Sequence, residues 1–153
     1  MPEYGVVVPW GVTESELFTL IPAAKFKRSL GGWPVLHFTL LGVEGDFGFN
    51  FVTHPKGKLI KVKLANDETQ LRADDRVWRS LEFTRLRRLL QRKLGRPTFD
   101  KTRRTSQPYL FWDSGDMWVD LRVEHGYYCL LDGEFTDLSL SVYARFIMSG
   151  GRM

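Results

Sequence analysis

The stretch Asp74-Asp75-Arg76-Val77-Trp78-Arg79-Ser80-Leu81-Glu82-Phe83-Thr84-Arg85-Leu86-Arg87-Arg88-Leu89-Leu90-Gln91-Arg92-Lys93-Leu94-Gly95-Arg96-Pro97 divides the chain into two sets of strand-like segments. Asp74 or Asp75 supplies a helix cap, leucine and arginine fill the interior, and Gly95 offers a left-handed stop before Pro97, which cannot continue a helix. The pattern predicts a helix from about Asp75 to Leu94. At 100° per residue Trp78, Phe83, Leu86, Leu89, Leu90 and Leu94 share one sector, and Arg85, Arg87, Arg88 and Arg92 lie mainly opposite. One face of such a helix packs against a core and the other meets water.

Outward from the helix the period changes from 3.6 to 2. Before it, Leu36, Phe38 and Leu40, then Phe47, Phe49 and Phe51, then Ile60, Val62 and Leu64 alternate with polar or small residues. Glu44-Gly45 and Pro55-Lys56-Gly57 supply turn residues between these segments. After the helix come Tyr109 to Trp112, a turn at Asp113-Ser114-Gly115, and Met117 to Val123. Then follow a turn at Glu124-His125-Gly126, a strand from Tyr127 to Leu131, a turn at Asp132-Gly133 and a closing strand from Leu138 to Ala144. Thr13-Glu14-Ser15-Glu16 has the form of a capping box and predicts a short first helix ending before Pro22. The fold class expected is α+β: an antiparallel sheet of about six to seven strands in two meanders flanking a long amphipathic helix, with a short N-terminal helix and the helices packed on one sheet face. No internal repeat or low-complexity linker stands out.

At 153 residues, 43% hydrophobic and 26% charged, the chain reads as a single domain over 1–153 with a core that needs no disulfide or metal. Residues 101–107 are expected as an exposed loop and 148–153 as a flexible tail. Apolar runs fall short of a membrane span, so no membrane contact is expected. A start without the basic and apolar blocks of an export signal, together with the single Cys129, predicts a cytoplasmic protein.

Pro9-Trp10-Gly11-Val12-Thr13 followed by Glu14 and Glu16, and the helix ending Leu90 to Pro97, resemble small uncharacterised bacterial α+β domains with a Trp-Gly-x-Ser/Thr helix start and a Lys-Tyr-Gly-x-Pro-like helix end. Leu94 stands where the tyrosine would be. Gly57 to Val62 and the Trp112/Trp118 hairpin also fit that order of elements. The resemblance implies the α+β architecture and supplies no catalytic residue.

Charge is concentrated. From Arg76 to Arg104 there are eleven Lys or Arg against Glu82 and Asp100, in a chain whose net charge is +4. Arg85, Arg87, Arg88, Arg92, Lys93, Arg96, Arg103 and Arg104 are therefore candidates for contact with nucleic acid or another polyanion. The competing reading is a solvated helix face, since no helix-turn-helix, zinc-finger or aromatic RNA-binding motif accompanies the patch. A second candidate set follows from strand alternation, which turns His37, Lys61, Lys63, Trp118, Arg122 and Tyr143 away from the long helix. A tryptophan among polar strand residues is a residue type enriched in interfaces.

Catalytic and metal chemistry have weaker anchors. His125 and Cys129 lie on a turn and strand, with His37 and His54 far away, so no metal ligand and no cofactor is assigned. Asp120 and Glu124 share a strand face, with Arg122 between them as a neutralising neighbour. Gly-x-Ser-x-Gly and Walker patterns are absent, and Gly45-Asp46-Phe47-Gly48 is not a phosphate cradle. The expectation is a non-catalytic binding domain that contacts a protein partner or self-associates as a homodimer. The alternatives are polyanion binding through 85–104 and an enzyme with an unrecognised pocket.

Overall fold

The computed structural model describes residues 1–29, 31–52, 57–65, 76–103, 105, 107–128 and 133–145, with backbone alone at 76–80, 124–128 and 133–137. Helix α1 covers Glu14–Leu20 and helix α2 Arg76–Leu94. The strands are β1 (Lys27–Arg28), β2 (Pro34–Leu40), β3 (Val43–Val52), β4 (Lys58–Leu64), β5 (Phe99–Lys101), β6 (Tyr109–Ser114), β7 (Met117–Tyr128) and β8 (Gly133–Ala144). Short 3-10 turns at Pro2–Tyr4 and Ala23–Lys25 complete the elements. The protein is α+β, with one eight-stranded antiparallel sheet in the order β1-β2-β3-β4-β8-β7-β6-β5.

This order reads the same from either edge, and the residue numbers repeat with it. Adding 74 carries Leu20 to Leu94, Lys27 to Lys101, the cross-strand pair Val35–Gly48 to Tyr109–Arg122, and Leu40–Val43 to Ser114–Met117. Each half is a helix followed by a four-strand meander. The halves join where β4 pairs antiparallel with β8, so an approximate two-fold axis stands perpendicular to the sheet at that seam. In the sequence the repeat survives in Pro34/Pro108, Leu36/Leu110 and Phe38/Trp112, the last two pairs buried in the core. These matches are too sparse to stand out against ordinary strand composition.

Local chemistry explains the helices. Thr13 Oγ1 accepts from the Glu16 amide at 3.2 Å while Glu16 Oε2 accepts from the Thr13 amide at 2.7 Å, so the expected capping box is formed. Gly95 closes α2 with φ 78°, its amide donating to the Gln91 carbonyl. Leu17 and Ile21 from the α1 region and Phe83, Leu86 and Leu90 of α2 enter one core cluster with Phe47, Phe49, Val119, Leu121, Leu140 and Val142. Trp112 joins that cluster and donates its indole N–H to the Gly95 carbonyl at 3.0 Å, fastening β6 beneath the end of α2. Leu89 and Leu94 are partly buried against the cluster, and the Trp78 side chain lies outside the described residues. Among the described residues no helix is long and apolar enough to cross a membrane.

Several expected turns are strand instead. The β2–β3 connection is Leu41-Gly42, with φ of 54° and 81°, as a two-residue primed turn needs, so Glu44-Gly45 belongs to β3. A Cβ on Gly45 would lie 2.8 Å from Leu64 Cδ1, so a larger residue there would require the end of the Leu64 side chain to move. Glu124-His125-Gly126 continues β7, paired with Asp137, Thr136 and Phe135 of β8, because the long hairpin satisfies these backbone groups better than a turn would. The edge strands β1 and β5 raise the strand count above the expected six to seven. Lys101, expected in a loop, closes β5 opposite Tyr109. Asn50 pairs with Lys61 but Phe51 pairs with Leu59, so Ile60 is an extra residue in a bulge. The bulge buries Leu59 and leaves Ile60 only partly buried, which the alternation from Ile60 to Leu64 does not anticipate. The proposed tail at 148–153 and the caps Asp74 and Asp75 lie outside the described residues.

Gly42 and Gly48 make a paired test of the turn. Gly42→Ala places a side chain in the left-handed region and is expected to cost about 1 kcal/mol, read as a lower urea midpoint. Gly48 is extended, and an added Cβ would meet ordinary contacts at 3.8 and 3.9 Å, so Gly48→Ala is expected to be neutral or to stabilise by up to about 1 kcal/mol. Equal losses from both substitutions would contradict the turn assignment.

Candidate interaction face of the sheet

Strand residues that alternate with the core positions point to the opposite side of the sheet. The register places Phe99, Phe111, Asp120, Ser141, Lys63, Gly48, Val35 and Lys27 in one row across every strand. A neighbouring row holds Asp113, Trp118, Tyr143, Lys61 and Asn50, and another on the other flank holds Lys101, Tyr109, Arg122 and Ser139. Lys61, Lys63, Trp118, Arg122 and Tyr143, separated widely in sequence, thus meet at and beside the β4–β8 seam.

The floor at the seam is polar and buried. Ser141 is fully enclosed, Ser139 nearly so, their hydroxyls 3.5 Å apart, and Asp120 is only 6% exposed. Arg122 Nη2 lies 3.6 Å from Asp120 Oδ2, the neutralising arrangement expected from its place in the strand. Lys61 Nζ lies 5.3 Å from the centre of the Tyr143 ring. Burial pushes the Tyr143 phenol above its ordinary range, and the Asp120 charge adds to the rise. Tyr109 is raised for the same two causes in the same order. Aromatic rings border the floor: Phe111 and Trp118 are 6.3 Å apart, and Phe99 and Tyr109 are 5.8 Å apart. Phe99 is half-exposed at the sheet edge, a position the sequence reading missed along with Tyr109, Phe111 and Lys101. Alternation in the expected strand from Tyr109 to Trp112 was the signal for Tyr109 and Phe111, whereas Phe99 and Lys101 emerge only from the pairing of β5 with β6.

His37 is set apart from this cluster, on β2. Its Nδ1 lies 2.7 Å from Asp46 Oδ1 and its Nε2 3.4 Å from Glu44 Oε1, while Lys27 approaches Asp46 at 3.6 Å. Hydrogen bonding to Asp46, and secondarily to Glu44, raises the imidazole pKa. The group forms a surface charge network. Among the described residues no set of three or more His, Cys, Asp and Glu side chains is placed to hold a metal ion. Cys129 and His54 lie outside the described residues, as do the side chains of Glu124 and His125.

The helix arginines divide. Arg85 is forked on Glu82, and Arg87 binds Asp100 at 3.0 Å and the Thr102 hydroxyl at 3.3 Å. Arg88, Arg92, Lys93, Arg96 and Arg103 are exposed, and Arg104 is outside the described residues. Cations in the last turn of α2 also sit favourably against the helix dipole, which accounts for Arg92 and Lys93 without a ligand.

Comparison of the chain with protein-family models, with curated proteins and with solved structures finds no match.

The His37 network predicts a pH-dependent contribution to stability. A raised folded pKa means the contribution is complete below the unfolded value of about 6.5 and disappears as pH rises through the folded value. An NMR titration is expected to place the His37 midpoint above that of a free histidine, and Asp46→Asn to lower it. A midpoint unchanged by Asp46→Asn would contradict the assigned cause.

Proposed function

We propose that this protein is a non-catalytic binding domain that takes up a macromolecular partner on the sheet face lined by Lys61, Lys63, Trp118, Arg122 and Tyr143. The observation that carries the reading is the convergence of these side chains from β4, β7 and β8 on one surface, opposite the face buried by the helices. Aromatic and arginine side chains gathered over a desolvated floor are the composition of interaction hot spots. Asp120 is drawn into an ion pair with Arg122, an arrangement that favours holding the surface in shape over general acid–base work.

Polyanion binding by α2 is the second reading. It is favoured by the exposure of Arg88, Arg92, Lys93 and Arg96, and weakened by the internal pairing of Arg85 and Arg87.

Light scattering of the purified protein, alone and with a mixed pool of short DNA and RNA at low and moderate salt, distinguishes the two surfaces. Any dimer or complex is expected to be lost in Trp118→Ala/Lys63→Glu and kept in Arg88→Glu/Arg92→Glu. The reverse pattern transfers the interface to α2.

A further inference from the structure

The fold itself does not call for aromatic side chains on the outer face. The 74-residue repeat gives each position of the β6–β7 pairing, 109–114 with 117–122, a counterpart in the β2–β3 pairing, 35–40 with 43–48. Tyr109, Phe111 and Trp118 correspond to Val35, His37 and Glu44, and Arg122 corresponds to Gly48. The same backbone framework therefore stands with a valine, a histidine, a glutamate and a glycine. Phe111 and Trp118 border the buried polar floor, whereas Phe99, half-exposed at the edge, joins no core cluster.

What the rings do share is a surface with cations. Lys63 lies in the row of Phe111 and Phe99, Lys61 in the row of Trp118 and Tyr143, and Arg122 beside Tyr109. Rings stand on β5, β6, β7 and β8, Lys61 and Lys63 stand on the neighbouring β4, and Asp113 and Asp120 share their rows. Unpaired bases stack on rings presented in this way, while lysine and arginine meet the phosphates between them. A duplex keeps its base faces inside and offers phosphates and base edges, so it can use the cations but cannot stack on the rings.

We propose that the partner of this sheet face is single-stranded nucleic acid, its bases stacked on Trp118, Phe111 and Phe99 and its phosphates met by Lys61 and Lys63, with Arg122 balanced by Asp120 beneath them. The proposal rests on the reading of this face as the interface, and adds the class of ligand. It assigns no base sequence, because stacking on rings accepts every base.

The test is fluorescence anisotropy with a labelled single-stranded oligonucleotide of about ten nucleotides, as RNA and as DNA, against the duplex of the same sequence. Single strands are expected to bind more tightly than the duplex. Trp118→Ala is expected to lower the affinity about 5- to 150-fold, the range for losing one base stack, and Trp118→Phe to restore most of it. Phe99→Ala, at an exposed edge position, is expected to lower affinity in the same sense and serves if Trp118→Ala misfolds. Lys63→Gln is expected to reduce the slope of log affinity against log salt by about 0.7, one phosphate contact on a single strand.

Equal affinity for duplex and single strand, or no binding of either at low salt, overturns the proposal. If self-association that depends on Trp118 and Lys63 is seen without oligonucleotide binding, the interface reading stands and the partner is a second copy. Binding abolished by Arg88→Glu/Arg92→Glu and unaffected by Trp118→Ala overturns both readings.

Discussion

The antiparallel pairing of β4 with β8 is the contact on which the architecture depends. Either four-strand meander alone would end in an unpaired row of backbone amides and carbonyls, which invites strand addition by other chains. The seam joins the two rows over Lys61 to Lys63 and Ser141 to Tyr143. Val62 opposite Val142 closes the core on one side, while Lys61 opposite Tyr143 and Lys63 opposite Ser141 form the middle of the polar face on the other. Stability and the candidate interface therefore meet in the same short run of cross-strand pairs.

The outer edges are protected by other means. The β1 edge strand has two residues and β5 has three, so neither offers a long template. Beyond β1, the Thr39 amide donates to Glu3 Oε1 at 2.9 Å and the His37 carbonyl accepts from the Tyr4 hydroxyl at 2.8 Å. At the corresponding place on β6 the Asp113 amide donates to Thr98 Oγ1 at 2.9 Å. Corresponding amides are thus occupied by side chains from different parts of the chain, which treats the same exposed-edge problem twice.

The elements most legible in the sequence are those whose causes are local. The capping box at Thr13 and Glu16, the glycine stop at Gly95 and the alternation through β2, β3 and β8 depend on near neighbours, and each is present as expected. The errors lie where distant pairing decides. Glu44-Gly45 has turn composition, yet β2 and Leu64 claim it for the sheet; Glu124 to Gly126 has turn composition, yet β8 extends beside it. The edge strands are too short to show a period, and the bulge at Ile60 shifts the alternation by one residue. The candidate face was partly legible because Lys61, Lys63, Trp118, Arg122 and Tyr143 lie in strands of strong alternation. Phe99 and Lys101 escaped because their strand exists only by pairing with β6.

Joining the two meanders through one chain changes how the seam responds to dilution. Two separate copies meeting edge to edge would come apart as their concentration fell, whereas tethered halves meet at an effective concentration set by the connecting chain. The full width of the sheet is then present in every molecule. Because the halves need not be identical, one flank of the seam can carry rings and cations while the other carries the His37 network, a division of labour that a symmetric pair of identical subunits could not make.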